Sequence, residues 1–379
     1  MGLENHSALK ANAMDSATTP ASLSYAAAGV DNLASDAGLA ALLPWVRKTH
    51  SFRPGTALDI GYFANVVDVG NGVGIAISTD TTGTKVLVAQ MVGQYETVGI
   101  DCVAINVNDI VSVGAEPVAF VDCISVERVS GEVLDQIGKG LHAGAELAHV
   151  PIVGGEIAQV AEIVKGHRPG LGFDLAGTCI GTVPTDRIIA GDAIGDGDVL
   201  IGLRSSGIHC NGLTLARRAL FDEAGHTPDT VLPELGRSLG AELLEPTRIY
   251  VDEVMALLRH GVRVKALAHI TGNGGLLNAT RTRTAAGYVV ERLPEPPPIF
   301  GAIQQAGNVV DEEMFRVYNM GVGFTVVVDP GDVDRTLKIT RSYGAEAYVL
   351  GYAVPDARRR VNLEPVGLVG EAGRFRRAA

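Results

Sequence analysis

The chain has 379 residues, 46% of them hydrophobic and 20% charged, a globular composition long enough for two domains with ample core. Its formal net charge of −12 argues against a nucleic-acid binder, which needs a basic face, but is compatible with a nucleotide held by local cations and backbone N–H groups. No stretch approaches ~18 uninterrupted apolar residues, so no membrane span is expected, and the N-terminus lacks the basic-then-apolar pattern of a signal peptide. The four cysteines (Cys102, Cys123, Cys179 and Cys210) form no CxxC pair and lie mostly in apolar runs, as reduced structural thiols of a cytoplasmic protein do.

Residues 1–22 read as a disordered lead-in. From Leu23 the order begins, with Asp31 or Ser35 capping a helix whose apolar face is Leu39, Leu42, Leu43 and Val46, and with Arg47 and Lys48 in its last turn. Two β-rich runs flank Gly70-Asn71-Gly72, a hairpin signal. A strand then reaches Asp80, turns through Thr and Gly to Lys85, and enters an apolar helical run carrying Asp101, Asn106, Asn108 and Asp109. An amphipathic helix is predicted over 131–148. PIVGGE (151–156) reads as a strand ending in a glycine turn that presents Glu156, and 173–183 as another strand. The Gly- and Asp-rich run 184–198 marks a boundary. DVLIGLRSSGIHCNG restarts the strand–glycine loop–helix order. Further on come a helix around 247–260, the turn HITGNGG, the run PEPPP, a helix near 311–318, the strand GFTVVVD, a helix near 331–343 and the strand AYVLGYAV. Alternating strands and helices give an α/β (α+β) protein with an N-terminal domain over 23–185, a C-terminal domain over 186–355 and a flexible Arg-rich tail over 356–379.

Burying carboxylates and amides inside an apolar run is costly unless they are hydrogen-bonded or hold a cation. Asp80, a turn with Lys85, and then Asp109 supply what a metal–phosphate site requires, oxygen ligands for Mg²⁺ and donors for phosphate oxygens. Asp101, Ile105 and Asn108 share one helical face and Asp109 lies about 80° from it. A solvated Asp80–Lys85 pair and a helix with one wet edge are the bland alternatives. Val103, Val107, Ile110 and Val111 leave little room for the second. Gly154-Gly155 before Glu156 would let backbone approach a ligand, or simply turn the chain. His209 lies between glycines at a strand-to-helix junction, where free N–H groups, Ser205 and Ser206 could bind an anion or the serines could cap the helix. There is no GxxxxGK[ST], and GNGVG (70–74) sits in a hairpin where a dinucleotide fingerprint would open a helix. The other histidines show no metal-ligand spacing, and His269, before a glycine turn, stays undecided.

In order, SYAAAGVD, STDTTGTK, VGIDCVAINVNDIVSVGAEPVAFVD, VGGE, FDLAGTCIG, GDVLIGLRSSGIHCNG, AHITGNGG and GNVVDEEMFRVYNMGVGF resemble the aminoimidazole ribonucleotide (AIR) synthetase, or phosphoribosylformylglycinamidine cyclo-ligase, family of purine synthesis, from about Ser24 to Val354. The resemblance implies two α/β domains, an N-terminal sheet that pairs with a second subunit in a homodimer, and a cytoplasmic enzyme with a nucleotide substrate. It implies ATP and Mg²⁺ held by Asp80 and Asp109, with Glu156 as a further metal-side ligand and Thr84, Lys85, Asn108, Gly154 and Gly155 assisting. Asp109, Lys85 and His209 would be catalytic. Ser205, Ser206, Gly207, His209 and Asn211 would face formylglycinamidine ribonucleotide. The chain departs from the family pattern at Thr81 and Thr82 in the phosphate turn, at DIGYFAN, at Leu43 where a lysine is usual, at Cys210, at Ile157 and Gln159, and in HITGNGG. Two other readings therefore stay open: a relative using the same ATP site on another substrate, and a non-catalytic nucleotide binder.

Overall fold

The computed structural model describes residues 22–30, 32–272 and 274–378. The lead-in expected over 1–22 lies outside them except for its last residue, and so does the Asp31 cap. Helix α1 (Asn32–Lys48) leads to strands β1 (Thr56–Leu58), β2 (Asn65–Gly70) and β3 (Val73–Thr81). Then come α2 (Lys85–Val92), α3 (Glu96–Val111), β4 (Glu116–Val126), α4 (Gly131–Ala148), β5 (Ile152–Gln159) and β6 (Phe173–Pro184). The second half runs β7 (Val199–Arg204), α5 (Leu213–Arg217), α6 (Leu239–Leu243), α7 (Val251–Arg259), β8 (Val264–His269), β9 (Ala286–Val290), α8 (Pro298–Ala306), α9 (Asp311–Val317) and β10 (Val322–Val328). It closes with α10 (Val333–Ser342), β11 (Ala347–Pro355), β12 (Val361–Leu363), β13 (Leu368–Glu371) and β14 (Arg374–Arg377).

The first sheet has the order β1-β2-β3-β6-β4-β5. Asn71 and Gly72 take φ of 56° and 75°, so the β2–β3 hairpin closes on the two left-handed residues that a type I′ turn needs. Helices α3 and α4 cover one face and approach very closely, because a Cβ on Gly99 would lie 2.5 Å from the Ile137 carbonyl oxygen and one on Gly140 would lie 1.7 Å from that of Glu96. The other face is open: Ile77, Val121 and Ile180 stand exposed on it. Strand β5 continues through Gly154, Gly155 and Glu156 to Gln159, so the expected glycine turn is strand interior, paired in register with β4.

The second sheet has the order β14-β13-β12-β9-β11-β7-β10-β8, with β10 buried along its whole length. Its first three strands correct the expectation of a flexible tail. Val361, Leu363, Leu368 and Phe375 are buried, and the arginines around them reach outward into pairs such as Arg358–Glu371 at 2.6 Å and Arg377–Asp311 at 2.7 Å. The N-terminal boundary is corrected too, since Leu23 and Tyr25 bond to Gly307 and Glu313 of the second half. Helix α1 forms as expected, but its apolar face is not buried: Leu39, Leu42 and Val46 are exposed, with Trp45 beside them.

Candidate active site

The two halves meet along α3, and the site lies where its C-terminal end passes the end of β3. Alternation along β3 turns Ser78 and Asp80 to the α3 side. Asp109, in the last turn of α3, accepts a 2.9 Å hydrogen bond on Oδ1 from Nδ1 of His269 and a longer one of 3.4 Å on Oδ2 from the Ser78 hydroxyl. An ionised carboxylate only accepts, so Nδ1 of His269 is the donor in this contact. The ring is fixed by β8 and lies 6.4 Å from Phe324 of β10 at an interplanar angle of 27°. Asp80 keeps an open edge. Burial by the protein around it raises its carboxyl above the ordinary value, and the Asp109 charge adds to the rise against the opposing Thr81 amide. Arg281, stacked 5.3 Å over the Phe63 ring, lies within electrostatic reach of Asp109.

Three residues expected on ATP serve the junction between the halves instead. Lys85 is fully buried, and its ammonium meets Asp101 Oδ2 at 2.7 Å and donates to the Glu245 carbonyl at 2.6 Å. Asp101 accepts from both the amide and the hydroxyl of Thr247, each at 2.7 Å. Asn108 donates to the Arg248 carbonyl and accepts from the Tyr250 amide, both at 2.9 Å. The Thr84 hydroxyl meets that of Thr214 at 2.9 Å. These carboxylate and amide groups satisfy the burial rule that pointed to a ligand, but they do so with protein partners. The turn that departs from the family pattern is likewise tied down: Thr81 donates to Asp174 at 2.9 Å and the buried Thr82 to the Leu175 carbonyl at 3.2 Å.

The loop after β7 folds over His209, which sits at φ 60° with 1% of its surface exposed. Its Nε2 accepts from the Ser206 amide at 3.3 Å, leaving Nδ1 buried without a protein partner. Burial lowers this imidazole well below the ordinary histidine value, and His269 and Lys85 push it the same way. Gly323 on β10 makes the room, since a Cβ there would lie 2.0 Å from the Tyr250 hydroxyl and 2.6 Å from His209 Cε1. Ser205 donates to Asn319 at 2.9 Å, and Asn319 in turn donates to the Gly207 carbonyl at 2.8 Å, so both expected substrate contacts are also parts of the loop's own scaffold. Ser206 donates to the Pro246 carbonyl and lines a cavity of ≈ 350 Å³ with Thr247, Arg248, Asp252, Glu253 and Tyr343. Asn211 lies against Gly272, whose Cβ would stand 2.9 Å from its Oδ1.

Glu156 is not brought to Asp80 and Asp109. The row Asp80, Gly177, Asp122, Gly155 crosses three strand spacings, about 14 Å, and Glu156 points with Cys123 to the open face. Gly155 has a different role: a Cβ there would lie 2.5 Å from an Asp122 oxygen, so the glycine lets that carboxylate lie over β5. Local pattern leaves His269 undecided and gives no sign of Arg281. His269 did carry a signal, because it ends a strand at a glycine turn as Asp80 does.

Residues 61–183 match the AIR synthase related protein N-terminal domain and residues 195–364 its C-terminal domain. The chain therefore belongs to the AIR synthase related protein family. It is 51% identical over 304 residues to the phosphoribosylformylglycinamidine cyclo-ligase of Methanothermobacter thermautotrophicus, covering 80% of this chain and 86% of that one. To the protein of the same name from Methanocaldococcus jannaschii it is 44% identical, covering 88% and 92%. Two solved structures share the fold. The HypE–HypF complex gives a TM-score of 0.56 at 19% identity, over 84% of this chain and 93% of that one. Thermotoga maritima PurL complexed with ADP gives 0.54 at 17% identity, over 81% and 44%.

Proposed function

We propose that this chain is an ATP-dependent cyclo-ligase that closes the imidazole ring of aminoimidazole ribonucleotide from formylglycinamidine ribonucleotide. The observation that carries the reading is the Asp109–His269 contact, which joins an acid of the first half to a histidine of the second beside Asp80 and the His209 loop. An amide oxygen is a poor leaving group. In this reading the formyl oxygen attacks the γ-phosphorus of ATP, ADP departs, and an O-phosphorylated imidate forms. The amidine nitrogen then attacks the same carbon, the C–O bond breaks, phosphate leaves and the nitrogen loses its proton.

Asp80 and Asp109 fit a Mg²⁺ ion, because they are oxygen donors whose mutual repulsion raises Asp80 and would be relieved by a divalent cation. The described residues hold no group of three or more ligating side chains, so water and phosphate oxygens would complete the shell. When bound, such an ion neutralises charge on the phosphoryl oxygens. His269 and Ser78 fix the Asp109 carboxylate, Arg281 adds positive charge near it, and His209 in the neutral form offers its Nδ1–H to the substrate. Holding nitrogen and carbon in one pocket lowers the entropic barrier to closure. Incubation with formylglycinamidine ribonucleotide and MgATP is expected to release ADP and phosphate in equal amounts with the aminoimidazole. ADP release without ring closure would point to a different substrate, and ATP binding without turnover to a binding protein.

The same reading includes a homodimer. The apolar residues on the open face of the first sheet are supported as its contact by their number and alternation. No helix among the described residues is long and apolar enough to cross a membrane.

A further inference from the structure

The segment 23–30 contributes no group to the site just described, yet it is held against both loops that border it. The Leu23 amide donates to the Gly307 carbonyl at 3.1 Å and the Tyr25 amide to Glu313 Oε1 at 2.7 Å. The same carboxylate takes both sides of the Arg316 guanidinium, at 2.7 and 2.9 Å. The Arg316 carbonyl accepts from the Gly274 amide at 2.8 Å, in the glycine turn that follows His269. On its other side the Tyr25 phenol lies close enough to the backbone of Gly212 to feel its polarity. Gly212 ends the His209 loop at φ 72°, its carbonyl accepts from the Tyr318 hydroxyl at 3.0 Å, and a Cβ on it would strike the Tyr318 ring at 2.2 Å. The segment is closed on itself, with Ala27 donating to the Ser24 hydroxyl at 3.1 Å and Val30 to the Tyr25 carbonyl at 3.0 Å.

We propose that this strap, through Tyr25, is a positioning device that fixes the spacing between the His209 loop and the glycine turn after His269. Asn211 and Gly272 face each other across that spacing in van der Waals contact, so a small separation of the loops opens the wall against which the ribonucleotide would lie. The inference rests on the reading of the His209 loop as the ribonucleotide side of the site. Asp80 and Asp109 belong to the other half, so loss of the strap acts on the ribonucleotide and spares ATP.

The test compares Tyr25→Phe and Tyr25→Ala with wild type in the full chain. Tyr25→Phe removes the phenol oxygen from the Gly212 backbone and is expected to raise the KM for formylglycinamidine ribonucleotide about fivefold, with the KM for ATP and the Tm unchanged. Tyr25→Ala is expected to raise it further and to speed hydrogen exchange at the amides of residues 207–212 and 274–277, while β10 keeps its protection. Unchanged KM values in both variants, or equal rises for both substrates, would overturn the proposal, as would a lowered Tm with both KM values intact. If the wild type itself turns over no ribonucleotide, the assigned reaction fails. The exchange measurement then still decides the strap, and unaltered protection in Tyr25→Ala overturns it.

Discussion

His209 is packed so tightly that its charge state is settled by its surroundings. Burial holds the folded-state imidazole well below the ordinary value, whereas the unfolded chain titrates near about 6.5. Above that pH both states are neutral and the group contributes nothing. Below it the unfolded chain binds a proton that the native one refuses, so stability falls as pH falls, by at most about 1.4 kcal/mol per unit. Urea unfolding at pH 7.5 and 5.5 is expected to show a steeper loss in wild type than in His209→Gln; equal losses would remove the burial effect. Asp109→Asn keeps the shape and the acceptor for His269 but removes the charge. It is expected to lower MgATP-dependent ADP release by about 100-fold or more with the Tm nearly unchanged, measured by a coupled assay beside a melting curve. The acids themselves were legible in the sequence, because buried carboxylates require an explanation wherever they occur. Their partners were not. Asp101, Asn108 and Asp109 pair with groups 146, 140 and 160 residues away, a distance no local pattern spans. Local pattern therefore does not separate Lys85 and Asn108, which meet protein groups across the junction, from Asp109, which lies beside His269.

Helix α3 is the element through which these pairings act. Along about two turns it offers Asp101 to Thr247 and Lys85, and Asn108 to the backbone of Arg248 and Tyr250, so the second half is docked by side chains of one helix face. Removing one partner of a buried ion pair leaves a charge without compensation, at about 3–5 kcal/mol. Lys85→Met is therefore expected to lower unfolding stability by that amount, and the double variant Lys85→Met with Asp101→Leu to recover part of it. A Lys85→Met protein of normal stability with a raised KM for ATP would return this lysine to the phosphates. The opposite side of α3 meets α4 through Gly99 and Gly140. Gly140→Ala is expected to cost about 3 kcal/mol by overpacking, read as a shift of the urea midpoint. Helices, hairpin and central strands followed from periodicity and turn residues. The strands of the C-terminal segment did not, because dense arginine masks short alternations such as Arg374-Phe375-Arg376. The β5 glycines misled for a related reason: glycine marks a turn more often than a strand over which a neighbouring carboxylate must lie.

At the scale of the whole molecule, apolar side chains among the described residues stand exposed together on the open face of the first sheet and on α1. Charges set into the sheet face oppose a second copy directly, so Val121→Lys with Ile180→Lys is expected to give a monomer by light scattering, with the fold retained by circular dichroism. A dimer of undiminished size would move the contact elsewhere. The same face carries a thiol. Cys102 and Cys179 are buried, burial pushes the Cys179 thiol up to about 12 and raises that of Cys102 well above the ordinary value, while Cys123 stands exposed between Val121 and the next core residue of β4. In the proposed dimer the protein thus carries its own clock for association. Alkylation of Cys123 will be slow while a second copy covers the sheet and fast once dilution frees it, so the concentration at which the labelling rate breaks reports the dimer constant without any added probe.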